Sequence, residues 1–172
     1  DCLDAALKGG HWLARHQDAD GCWRKYEHNG VPHTYNTRGT WALLAISRLG
    51  NDPALCNSAV RHLEWAARQQ TASGWFSNNA FASDRLPFTH TIAYTIRGFL
   101  ECGVLLADEH YIDIAERAAL AVAKAQRADG WIAGTFDRDW RARAGYACLT
   151  GNAQMALDWF RLAQEGRSPV LR

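Results

Sequence analysis

Apolar residues recur at helical spacing along most of the chain. Over 54–70, Ala59, Leu63, Ala66 and Ala67 share one face; over 89–102, Ile92, Ile96, Phe99 and Leu100 do the same. No stretch alternates apolar and polar residues as a half-buried strand does. The pattern predicts about seven helices, near 2–17, 37–49, 54–70, 89–102, 110–126, 140–150 and 152–165. Breaker segments separate them: Gly50-Asn51-Asp52-Pro53, Gly103 to Glu109, and Gly151-Asn152. Asp52 and Asp108 stand where N-caps are expected.

The helices come in copies. Gln17, Gln70 and Gln126 each precede a Gly four residues later, and each Gly (Gly21, Gly74, Gly130) has a Trp within two residues: Trp23, Trp75 and Trp131. Without gaps upstream, Lys8 aligns with Arg61 and Arg117, Trp12 with Trp65 and Ala121, and Leu13 with Ala66 and Val122. Each repeat reads as a helix ending at the Gln, a long loop carrying the Gly and Trp, and a second helix. The expected boundaries are 2–50, 54–103 and 110–151, with a partial fourth repeat at 152–166 and a tail at 167–172. A single domain over 1–166 is expected, all-α. Gln is a poor nucleophile, acid or base, so these nine motif residues read as structural rivets: Gln holds loop backbone while Trp covers it.

The second helices carry a second stripe. His90, Tyr94, Arg97 and Glu101 lie opposite the apolar face, and the matching positions of the first repeat are Thr37, Trp41 and Leu44. Surface positions rarely hold Trp and Leu, so these helices are read as an inner layer lining an axis, with the Gln-ended helices outside. Trp140, Arg143 and Ala147 are the expected stripe of the third. The outer-to-inner loops are long and polar, which places a ligand site at the mouth where they meet the inner helix N-termini.

Composition narrows the function. The 172 residues have a net charge of +1 with both signs interspersed, which argues against a nucleic-acid partner. No apolar run reaches transmembrane length. Five cysteines without metal-ligand spacing predict free thiols, a reducing cytoplasmic setting, and no metal or cofactor.

Lys8, Gly9, Trp12, Leu13, Gln17, Gly21 and Trp23 fill every position of the QW motif. On these residues the chain resembles the α-α toroid superfamily of terpenoid cyclases and protein prenyltransferases, and the six-hairpin glycosidases as the near alternative. The resemblance implies an incomplete α/α toroid of about three helical hairpins in inner and outer layers. For the cyclases' Asp-x-Asp-Asp run the nearest match is Asp137-Arg138-Asp139, and no Asp-x-Cys spacing of the prenyltransferase zinc set occurs. The expected function is therefore a carbohydrate-active enzyme, a glycoside hydrolase or related polysaccharide-processing protein; the alternatives are a terpenoid cyclase or prenyltransferase relative and a non-catalytic repeat scaffold. His90, Asp137 and Asp139 are the catalytic candidates, the two carboxylates because glycoside chemistry uses such pairs. Tyr35, Arg38, Trp41, Tyr94, Arg97 and Trp140 are the substrate-binding candidates, aromatics for stacking and Arg for an anion. A small-molecule or saccharide ligand is expected, together with self-association or a further chain portion at the open toroid edge.

Overall fold

The computed structural model describes residues 1–167, so most of the predicted tail, 168–172, lies outside the described residues. Six α-helices are present among them: α1 (Cys2–Arg15), α2 (Thr37–Leu49), α3 (Pro53–Ala67), α4 (Thr89–Leu106), α5 (Glu109–Ala125) and α6 (Leu149–Gln164). Carboxylates start the outer ones. Asp1 forms a capping box with Asp4, Asp52 accepts from the N–H groups of Ala54 and Leu55 with Pro53 next in line, and Asp108 accepts from His110. Ala107 ends α4 in the left-handed region at φ 54°.

Outer and inner helices alternate along the chain as three hairpin repeats, α1–α2, α3–α4 and α5–α6, and the tightest packing between consecutive helices falls across the short turns, α2 on α3 and α4 on α5. Helices α2, α4 and α6 pack side by side as one layer, and α1, α3 and α5 as another. This is an incomplete α/α toroid with inner and outer helices. The core lies between the layers. Leu43, Leu44, Leu63, Ile92, Ile96 and Phe99 are fully buried there, and the central helix α4 buries the most.

The third hairpin corrects the sequence reading. No helix covers 140–150, and 152–165 does not open a fourth repeat. One helix, α6, starts at Leu149 and takes the third inner place against α4. Two physical causes explain the difference. Residues 131–147 fold as a small irregular hairpin, with bridges Phe88 to Thr135 and Phe136 to Ala142, and it buries Ile132, Ala133 and Phe136. And Gly151 is a packing residue, not a stop: a Cβ there would lie 2.7 Å from the Thr89 Cβ and 2.8 Å from the His90 nitrogen. Trp140, with φ 61°, turns within the loop, so the stripe of Trp140, Arg143 and Ala147 does not exist.

Candidate functional site

The motif glutamines lock neighbouring repeats together. Gln17 Nε2 donates to its own loop at Gly21 O (2.9 Å) and to Ser58 O on α3 (2.8 Å); its Oε1 accepts from Ser58 Oγ (2.8 Å) and Arg61 (2.5 Å). Gln70 repeats this one hairpin later, donating to Ile114 O on α5 (2.8 Å) and accepting from Arg117 (2.8 Å). The glycines follow suit. A Cβ on Gly21 would strike Arg61 O at 2.2 Å, and one on Gly74 would meet Arg117 O at 2.9 Å; both have positive φ. Trp23 donates from Nε1 to Leu13 O (2.9 Å) and packs on the buried His62, 4.3 Å between ring centroids. The third set differs. Among the described residues, Gln126 donates only to Gly130 O in its own loop (2.9 Å), and no outer helix stands against Gly130. Trp75 packs edge-on against Trp140, and Trp131 lies under the Arg127 guanidinium.

The inner helices bring a polar cluster to one face of their layer. Arg38 on α2 lies over the Tyr94 ring of α4 at 4.5 Å and donates to Gln154 Oε1 of α6 at 2.9 Å. Arg97 on α4 lies 5.9 Å over Trp41 of α2, 2.9 Å from Glu101, and 3.6 Å from Asp158 of α6. Arg161 on α6 reaches Glu101 at 3.2 Å. Three helices thus interlock through alternating charges, with Arg38, Trp41, Tyr94 and Arg97 still partly accessible.

Asp158 is fully buried, and neither of its oxygens receives an aligned hydrogen bond. Burial pushes its carboxyl up to about 8, against the pull of the Arg97 charge. Burial thus works against its ionised form, with the Arg97 guanidinium 3.6 Å away opposing that shift.

His90 heads the face at the mouth. Its ring stacks on Phe88 (5.5 Å), tilts against Phe81 (5.5 Å) and meets Tyr94 edge-on (5.7 Å). Nδ1 lies 3.5 Å from Cys148 Sγ, and that sulfur accepts the Gly151 N–H (3.3 Å) at the start of α6. Burial lowers the His90 pKa, so the imidazole is neutral at pH 7. Tyr35 joins the same wall, stacked on His33 (4.4 Å) and edge-on to Phe81 (5.9 Å).

The structure thus gathers His90, Tyr35, Arg38, Trp41, Tyr94 and Arg97. It does not gather Asp137, Asp139 and Trp140 with them. Partial burial alone would raise the Asp137 carboxyl, but hydrogen bonds from Arg141 N–H, Arg143 Nε and Asp139 N–H hold it below the usual range and commit it to its own turn. Asp139 and Trp140 line a cleft over outer helix α5 with Arg117, Ala121 and Lys124, and Trp140 Nε1 donates to Ser73 O (2.9 Å). Sequence reasoning missed Gln154, Asp158 and Arg161 because it placed them on an outer helix. Their i, i+4, i+7 spacing, which repeats that of His90, Tyr94 and Arg97, was the available signal. Among the described residues no group of three or more His, Cys, Asp and Glu side chains is arranged to hold a metal ion, and no helix is long and apolar enough to cross a membrane.

No protein-family model matches the chain, and no curated protein matches its sequence. Solved structures do match its fold. The unsaturated glucuronyl hydrolase from Bacillus sp. GL1, responsible for degradation of glycosaminoglycan, superposes with a TM-score of 0.74 at 18% identity over 96% of this chain and 51% of that one. A UGL variant with dGlcA-Glc-Rha-Glc gives 0.74 at 19% identity over 96% and 51%. A possible member of GH105 family from Salmonella enterica subsp. enterica serovar Paratyphi A gives 0.68 at 16% over 94% and 50%. The chain spans about half the length of these proteins. Their fold is the six-hairpin alternative; the terpenoid-cyclase and prenyltransferase reading of the repeats finds no support among them.

Proposed function

We propose that the inner-helix face binds an acidic saccharide, and that the chain forms the three-hairpin part of a glycoside-hydrolase-type enzyme. The observation that carries this is the placing of Arg38 and Arg97 beside Tyr94 and Trp41 on one face of the inner helices. Aromatic rings suit the apolar faces of sugars, and guanidinium forks suit a uronate carboxylate. The names of two matched proteins, a glucuronyl hydrolase and a UGL variant with dGlcA-Glc-Rha-Glc, point to the same ligand class.

In this reading His90 is the proton-transfer group. Its neutral imidazole can accept a proton from water at pH 7. Arg38 holds the carboxylate, Trp41 and Tyr94 orient the ring, and Asp158 acts through Arg97 without touching the sugar. Asp137 and Asp139 have no part, since Asp137 is spent within its turn and Asp139 faces the outer layer. The free thiols of all five cysteines suit a reducing compartment, and we include a cytoplasmic setting in the proposal.

The test is turnover of unsaturated uronyl disaccharides, followed by loss of the ring double-bond absorbance. Activity with them, none with neutral disaccharides, and a fall of about a hundredfold in His90→Ala are expected. The acid limb of kcat/KM should lie below the ordinary histidine value, as burial of His90 requires. Equal activity of the His90 variant would remove it from the mechanism.

A further inference from the structure

Two arginines lie on neighbouring inner helices, and the third inner helix answers them differently. Arg97 of α4 has carboxyl groups on two sides, Glu101 at 2.9 Å and the buried Asp158 at 3.6 Å, and it donates to Leu157 O at 3.4 Å. Glu101 is shared with Arg161 of α6, 3.2 Å away, which is also paired with Glu165. Arg38 of α2 is held in another way. Its guanidinium lies 4.5 Å over the Tyr94 ring and donates to Gln154 Oε1 at 2.9 Å. Among the described residues it forms no ion pair with a carboxylate.

Gln154 and Asp158 stand one turn apart on α6. One face of a single helix therefore sets an amide against Arg38 and a carboxyl against Arg97. The two groups act differently on a cation. A carboxylate offsets the guanidinium charge and can occupy its fork. An amide oxygen accepts one N–H and leaves the full charge in place. With its oxygen turned to Arg38, Gln154 keeps its amide N–H donors, which meet no acceptor among the described residues. Arg38 and Gln154 are both half-buried, so their donors compete with less water than surface groups do.

Resting on the acidic-saccharide reading of this face, we propose that Gln154 makes the face selective for a carboxylate. Its neutral amide orients the Arg38 guanidinium over Tyr94 without neutralising it, and its N–H group is a second donor to the same bound carboxylate. Arg97 already has Glu101 beside it, so the acid goes to Arg38. A glutamate at position 154 has the size of the glutamine and pairs with Arg38 as Glu101 pairs with Arg97. The face then carries no open cation, and a bound carboxylate meets a like charge.

Gln154→Glu and Gln154→Met test this by titration with the unsaturated glucuronyl disaccharide and its methyl ester. Both replacements match glutamine in length, and melting curves check that both fold. Gln154→Glu should weaken binding of the acid at least about tenfold and leave the ester within about twofold. Gln154→Met keeps the Arg38 charge and removes the amide, so the acid should lose about threefold and still bind better than the ester. If Gln154→Glu loses its melting transition, Gln154→Met decides: reduced affinity with the preference retained supports the assignment, and unchanged affinity overturns it. Equal losses for acid and ester in both variants would make Gln154 a packing residue and overturn it too, as would full acid affinity in Gln154→Glu. A wild-type chain that binds acid and ester alike removes the acidic-saccharide reading itself, and this assignment with it.

Discussion

Folding buries the Asp158 carboxyl and works against its ionised form. Its pKa rises from 3.8 to about 8 on burial. Between those values the folded chain holds a proton that the unfolded chain releases. The contribution to stability is fully present below about pH 4 and is lost as pH rises through about 8. Asp158→Asn keeps the shape and removes the ionisation. Its melting temperature should vary less with pH between 4 and 8 than that of the wild type, and exceed it at the alkaline end. Thermal melts at a series of pH values check this; parallel curves would mean that Asp158 is ionised in the folded chain. The stripe of His90, Tyr94 and Arg97 was legible in the sequence because α4 has one strongly apolar face opposite it. Asp158 was not, because its helix was assigned to the wrong layer.

That misassignment belongs to the elements. The three long helices that end at the motif Gln, and the first two inner helices, follow from apolar spacing and from Asp caps at positions 52 and 108. The third inner helix did not, since Gly151 carries two opposite meanings. In sequence it punctuates; in the fold it lets α6 touch α4 at Thr89. Trp140 misled for a related reason: its spacing to Arg143 and Ala147 is helical, yet its backbone is left-handed. The Gln motif was legible as structure, but its reach into the next hairpin needed coordinates. Gln70→Ala removes the bonds to Ile114 and Arg117 and should cost about 1–3 kcal/mol. Gln126→Ala loses only a bond within its own loop and should cost no more than about 0.5 kcal/mol. Urea titration of both variants makes the comparison; equal losses would mean that the lock between hairpins adds nothing.

At the scale of the whole molecule, three hairpins set their inner helices side by side, and the groups that could read a sugar share one face of that layer: Arg38, Trp41, His90, Tyr94 and Arg97. The outer layer holds Asp139 and Trp140, which places the paired-carboxylate expectation on the wrong side of the fold. Recognition of a carboxylate by this face is tested by isothermal titration calorimetry with an unsaturated glucuronyl disaccharide and its methyl ester. The two differ in charge and hardly in shape. The acid should bind at least about tenfold more tightly, a difference of about 1.4 kcal/mol, and Arg38→Ala should abolish the difference. Equal affinity for acid and ester, or a preference that survives Arg38→Ala, would contradict it.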